Sequence, residues 1–93
     1  MARYDMTVED GTHIILTPHE ASILDELLRD GADTETVARR AGYSRNTANR
    51  VLSDIARAFG LSRMEMVVGF LRGDITYRLR QSADWPRVQV NAA

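Results

Sequence analysis

The chain of 93 residues has no cysteine and no lysine, and only two prolines, one tryptophan and two histidines. Without cysteine there is no disulfide, no thiolate metal site and no cysteine nucleophile. No apolar run approaches the ~20 residues of a membrane-spanning helix, and Met1 to Val8 lacks the apolar core of a secretory signal. The expected location is therefore the cytoplasm, with no membrane partner. No ligand spacing around His13 or His19 makes a zinc site, and neither a glycine-rich phosphate loop nor a nucleophile elbow occurs. No enzyme activity, cofactor or metal is expected. Asp25, Glu26 and Asp30 read as the solvated face of a helix rather than a catalytic carboxylate pair.

The length fits one small domain with a modest core, and 44% hydrophobic with 27% charged residues is ordinary for a globular protein. All 12 basic residues are arginine, beside 11 alanines, a codon signature of a GC-rich genome. The net charge is only −1, but it is unevenly spread. Residues 1–35 hold two arginines against nine acids, whereas residues 36–63 hold six arginines against Asp54 alone. Residues 64–93 are close to neutral, with four arginines against three acids. A basic middle segment of this kind is the electrostatic footprint of a nucleic-acid reader. The acidic front weakens nonspecific attraction to phosphate, which predicts modest affinity per monomer and a steep salt dependence.

Capping and periodicity organise the chain. Tyr4, Met6 and Val8 alternate with polar residues, Asp10-Gly11 is a favoured two-residue turn, and Thr12 to Leu16 is β-branched and apolar; residues 1–15 read as a small N-terminal hairpin. Thr17, Pro18 and Glu20 open a first helix over 18–29, with Ile23, Leu24, Leu27 and Leu28 as its stripe. Asp33 or Thr34 caps a second helix ending at Ala41. Ser44 caps a third over 45–59, with Ala48, Val51, Leu52, Ile55 and Phe59 inward, and Ser62 caps a fourth over 63–72. Residues 16–73 are thus a four-helix, mainly α, helix-turn-helix domain. In the extension over 74–93, Ile75, Tyr77 and Leu79 alternate with polar residues, as do Val88 and Val90. Either segment fits a strand added to the hairpin, and a helix restarting at Asp74 is the alternative. Trp85-Pro86 is expected to cover apolar surface.

The second and third helices carry the functional reading. Gly42-Tyr43-Ser44 is the turn between them, and the third helix starts with Arg45, Asn46, Asn49 and Arg50 on one exposed face. Arginine can take guanine O6 and N7 together, and asparagine adenine N6 and N7 together. Ser44 and Thr47 suit phosphate contacts, Ser44 also capping. Thr34 can place helix N-terminal N–H groups against a phosphate. Arg39 and Arg40 either clamp the DNA backbone or pair with Glu35 or Glu20. Arg57 and Arg63 lie further along and read as solvated.

Several segments together resemble the C-terminal DNA-binding domain of the LuxR/NarL family. They are Leu16-Thr17-Pro18-His19-Glu20, Ile23-Leu24, Gly31, Val37-Ala38-Arg39-Arg40-Ala41-Gly42-Tyr43-Ser44, Thr47, Ile55 and Phe59-Gly60-Leu61. The match runs from Leu16 to Arg72. The resemblance implies a four-helix fold of bacterial or phage origin whose third helix enters the major groove and whose fourth often forms a dimer seam. This chain has His19 where the family pattern has arginine, and Asn49 and Val51 where it has lysine and histidine. The turn at Gly60-Leu61-Ser62-Arg63 is one residue shorter. Only 15 residues precede Leu16, so a stand-alone unit without receiver or sensor domain is expected. A weaker resemblance to region 4 of sigma factors lies in the L-T-x-x-E opening and the Ser44-Arg45-Asn46-Thr47 helix start.

The fourth helix is richer in apolar residues than one buried stripe requires. Met64, Val67, Val68 and Leu71 are candidates for a homodimer seam, unless the hairpin or the tail covers them. The leading expectation is a sequence-specific regulator of transcription that binds double-stranded DNA. The alternative is a protein-interaction module on the same fold, contacting RNA polymerase or another regulator through the acidic first helix, or acting as an antirepressor.

Overall fold

Four helices form where a short polar side chain can accept a backbone N–H and a glycine can end the turn. Helix α1 (Pro18–Asp30) opens on a reciprocal cap: Thr17 Oγ1 accepts the Glu20 N–H at 3.3 Å, and Glu20 Oε1 accepts the Thr17 N–H at 2.9 Å. Asp33 caps α2 (Thr34–Ala41), Ser44 caps α3 (Arg45–Phe59), and Ser62 caps α4 (Arg63–Arg72) with a second reciprocal arrangement through Glu65. Each cap is worth about 1 kcal/mol against alanine. The computed structural model of the chain describes residues 6–31 and 33–80.

The apolar stripes of all four helices meet in one core. Ile23, Leu24 and Leu27 of α1, Val37 and Ala38 of α2, Ala48, Val51, Leu52 and Ile55 of α3, and Met66 of α4 pack together beneath Ile14 and Leu16. Burial of this much aliphatic surface, not helix propensity, fixes helices of 8 to 15 residues.

A three-stranded sheet closes one side of the helices. β1 (Thr7–Glu9) pairs antiparallel with β2 (His13–Leu16), and β3 (Thr76–Leu79) pairs parallel on the other edge of β2. Parallel neighbours need a long crossover, and here the crossover is the entire four-helix unit. Of the alternatives for the extension, the first segment forms a strand over Thr76–Leu79, and no helix restarts at Asp74. Tyr4, Trp85-Pro86 and the Val88–Val90 stretch lie outside the described residues.

The hairpin differs from expectation in its loop. Glu9 pairs with His13, so three residues connect the strands rather than two. Asp10 (φ 58°) and Gly11 (φ 70°) are both left-handed, and the Thr12 N–H closes the turn on Glu9 O at 3.1 Å. Thr12 is the extra residue, and its carbonyl accepts the Thr76 N–H at 2.8 Å. The resulting register sets Val8, Ile14 and Tyr77 in one row toward the helices. On the other face Arg78 reaches across β2 to Glu9 at 3.4 Å.

Gly69 in α4 gives Ile75 room. A β-carbon there would stand 3.1 Å from the Ile75 side chain, which the bare backbone lets sink into the core beside Met66. Phe59, Phe70 and Tyr77 then stack edge to face, with centroids 5.9 and 6.5 Å apart, tying α3, α4 and β3 together. Edge-to-face contact of this kind suits the ring quadrupole.

Candidate nucleic-acid interface

The two faces of α3 are cleanly divided. Ala48, Val51, Leu52, Ile55 and Ala56 are buried, and Arg45, Asn46, Asn49 and Arg50 are exposed. Residues three and four apart share a helix face, so these four side chains form one polar flank at the N-terminal half of the helix. Neither the hairpin nor any other described element covers it. The turn leading into it is braced from behind: the Tyr43 ring packs edge to face on His19 with centroids 5.8 Å apart, and its hydroxyl hydrogen-bonds His19 Nδ1. His19 thus links the first turn of α1 to the turn between α2 and α3.

The arginines of this region fall into three groups. Arg39, Arg45 and Arg50 are exposed and form no ion pair with a described residue. Arg40 pairs with Asp30 of α1 at 2.9 Å, and Arg57 with Asp54 at 3.1 Å. The hydrogen bond to Asp30, then that residue's charge, raises the Arg40 pKa. Glu35 and Glu20, the partners anticipated for Arg40, are not used. Glu20 is committed to its helix cap, and Asp30 lies across the α1–α2 junction.

Arg63 departs most from expectation. Far from being merely solvated, its guanidinium donates to Thr34 Oγ1 at 3.3 Å, Asn49 Oδ1 at 2.9 Å and Ser53 Oγ at 3.3 Å. It joins the first turn of α4 to the first turn of α2 and the middle of α3. These partners lie 29, 14 and 10 residues away in sequence, so no local pattern signals them.

The hydroxyls at the helix starts are also engaged. Ser44 Oγ accepts the Thr47 N–H at 3.1 Å and donates to Thr47 Oγ1 at 3.0 Å. Thr47 keeps its own O–H as a donor toward a phosphate. At α2, Asp33 accepts the Thr36 N–H at 2.8 Å. That bond is the main cause of its lowered pKa. A phosphate approaching Thr34 there meets a resident carboxylate as well as the helix dipole.

The carboxylates of α1 are less free than a solvated face implies. Asp25 accepts the Tyr77 hydroxyl at 2.7 Å, Glu26 pairs with Arg29 at 3.4 Å, and Asp30 holds Arg40. Of the residues considered for a dimer seam, Met64 (76% exposed), Val68 (44%) and Leu71 (64%) face outward, while Val67 packs against the core. Met64 and Val68 border a shallow groove of about 490 Å³ with Leu61, Gly69 and Ile75. His13 bonds Thr12 Oγ1 at 3.0 Å, and no described cluster of His, Asp and Glu could hold a metal ion. No described helix is long and apolar enough to cross a membrane.

Comparison with models of known protein families, with curated proteins and with solved structures yields no match.

Proposed function

We propose that this chain is a sequence-specific double-stranded DNA-binding regulator of transcription, acting in the cytoplasm with α3 in the major groove. One observation carries the reading: Arg45, Asn46, Asn49 and Arg50 stand exposed along one flank of α3, with neither Arg45 nor Arg50 held in an ion pair by a described residue. Two cations without an ion pair to any described residue, on the outer face of a helix whose inner face is buried, suit an anionic partner. The major groove admits an α-helix, and these side chains match its donor and acceptor pattern. Arg39 of α2 and the Thr47 hydroxyl are placed to add backbone contacts, which position the helix without reading sequence. The resemblance to the LuxR/NarL domain supports the same assignment.

Selection from random duplexes at two salt concentrations tests it. An enriched sequence whose binding weakens steeply with salt is the expected result; no enrichment at low salt removes the reading. A second reading has its own support in α4. Exposed Met64, Val68 and Leu71 beside an apolar groove suit a protein contact, either a second copy or RNA polymerase. A homodimer would present two α3 helices to a palindromic site. Sedimentation of the Val68→Asp variant beside the parent chain decides whether that surface joins two copies.

A further inference from the structure

The Arg63 bridge alters what Asn49 can say to a base. A guanidinium carries five N–H donors and no acceptor. Of the two ends of the Asn49 amide, only the oxygen can face it, and Oδ1 lies 2.9 Å from Arg63 Nη2. The planar amide then turns its NH₂ away from Arg63. Asn49 is exposed, so the end it offers to a partner is a donor. Thr34 and Ser53 hold the guanidinium from two further elements. The amide is therefore pinned by a group anchored on three helices, not by a free side chain.

An unconstrained asparagine reads adenine with both ends of its amide, accepting from N6 and donating to N7. With Oδ1 facing the guanidinium, the end of Asn49 that points away from Arg63 is the donating half. Guanine presents two adjacent acceptors, O6 and N7, to such a group, whereas adenine offers N7 alone, with its N6 amino group a donor beside it. We infer that Arg63 is a specificity-determining residue: by holding Asn49 Oδ1 it makes position 49 of α3 a reader of guanine instead of adenine. The inference rests on the DNA-binding role proposed above.

The test uses the whole chain and random-duplex selection with four variants. Asn49→Ala identifies the base position that Asn49 reads, as the one position whose preference disappears. In the parent chain that position carries guanine, enriched roughly tenfold over adenine, a ratio within the range of a single base contact. Arg63→Met has no donor and releases the amide, so that position alone shifts to adenine. Arg63→Lys keeps a donor toward Oδ1 and keeps guanine. Asn49→Asp engages Arg63 without offering an NH₂ and loses the guanine preference.

Adenine at that position in the parent chain overturns the inference, as does an Arg63→Met variant that keeps guanine or weakens every position equally. An Asn49→Ala variant with an unchanged site does the same. Should Arg63→Met fail to fold, as seen by circular dichroism, the parent base and Arg63→Lys still decide. Enrichment of a site lacking this pattern defeats the inference and leaves DNA binding standing, whereas no enrichment by the parent chain defeats both.

Discussion

Helices α1 and α3 share a plan: each opens on a hydroxyl cap, buries an aliphatic stripe and stops at a left-handed glycine. They differ in what their charges are doing. On α1, Asp25, Glu26 and Asp30 each have a partner within the fold, and two of those partners, Tyr77 and Arg40, come from other elements. On the first turns of α3, Arg45 and Arg50 have no described ion-pair partner. The acidic helix uses its charges to hold the architecture together, and the basic helix keeps its charges outward. Net charge alone, −1 over the chain, conceals this division.

The comparison can be broken from the inside first. Leu24 and Leu52 are both wholly buried, so Leu24→Ala and Leu52→Ala should each cost about 2–5 kcal/mol of stability. Urea denaturation checks this, and a cost well under 2 kcal/mol at either site would show that the two inner faces are not equivalent. Outside, the helices should separate. Arg50→Ala should cost ~1–3 kcal/mol in specific duplex affinity, with a stability change inside ~0.5 kcal/mol. Asp25→Asn should leave duplex affinity unchanged. An Arg50→Ala variant that binds duplex as the parent does would favour the protein-interaction reading.

Tyr77→Phe probes the architectural use of charge, because it deletes the O–H donated to Asp25. The expected cost is about 0.5–1.5 kcal/mol. Burial, then the Asp25 hydrogen bond and charge, push the Tyr77 hydroxyl up to about 12 from an ordinary 10.0. The folded state holds that proton more tightly than the unfolded chain. Its stabilising contribution is complete below pH 10 and is lost as pH rises through about 12. Denaturation midpoints measured across that window should fall less in Tyr77→Phe than in the parent.

The smallest effect concerns Asp33, whose pKa is lowered mainly by the Thr36 N–H. Its contribution is present above the ordinary value of 3.8 and disappears as pH falls through the lower folded value. Asp33→Asn keeps a capping oxygen and removes the titration, so the acid loss of helical circular dichroism should become slightly shallower. An unchanged acid limb would show that this cap carries no linkage.

Helix positions were legible because their signals are local. Ser44 with Gly60, and Ser62 with Gly73, bracket their helices to the residue, since a cap and its helix lie within four positions of each other. The exposed flank of α3 followed from the same 3.6-residue period that placed Val51 and Leu52 inside. Long-range contacts were legible only in outline. The extension was expected to add a strand to the hairpin, as it does, but the alternation at Ile75, Tyr77 and Leu79 carries no information about which edge it takes or in which direction. Arg63 looked like any surface arginine, because Thr34, Asn49 and Ser53 approach it only once α2, α3 and α4 are packed. The same holds for Arg40, whose partner Asp30 is ten residues away across a turn.

The parallel pairing of β2 with β3 has a consequence for the order of assembly. An isolated hairpin is marginal in water, and the strand that supports β1–β2 follows all four helices in the chain. The β2–β3 pairing joins residues about sixty positions apart, and contacts of that kind are slow to form because loop closure precedes their reward. The third strand of the sheet, residues 76–79, follows all four helices in the chain. The helices thus act as a template on which the beginning and the end of the fold meet.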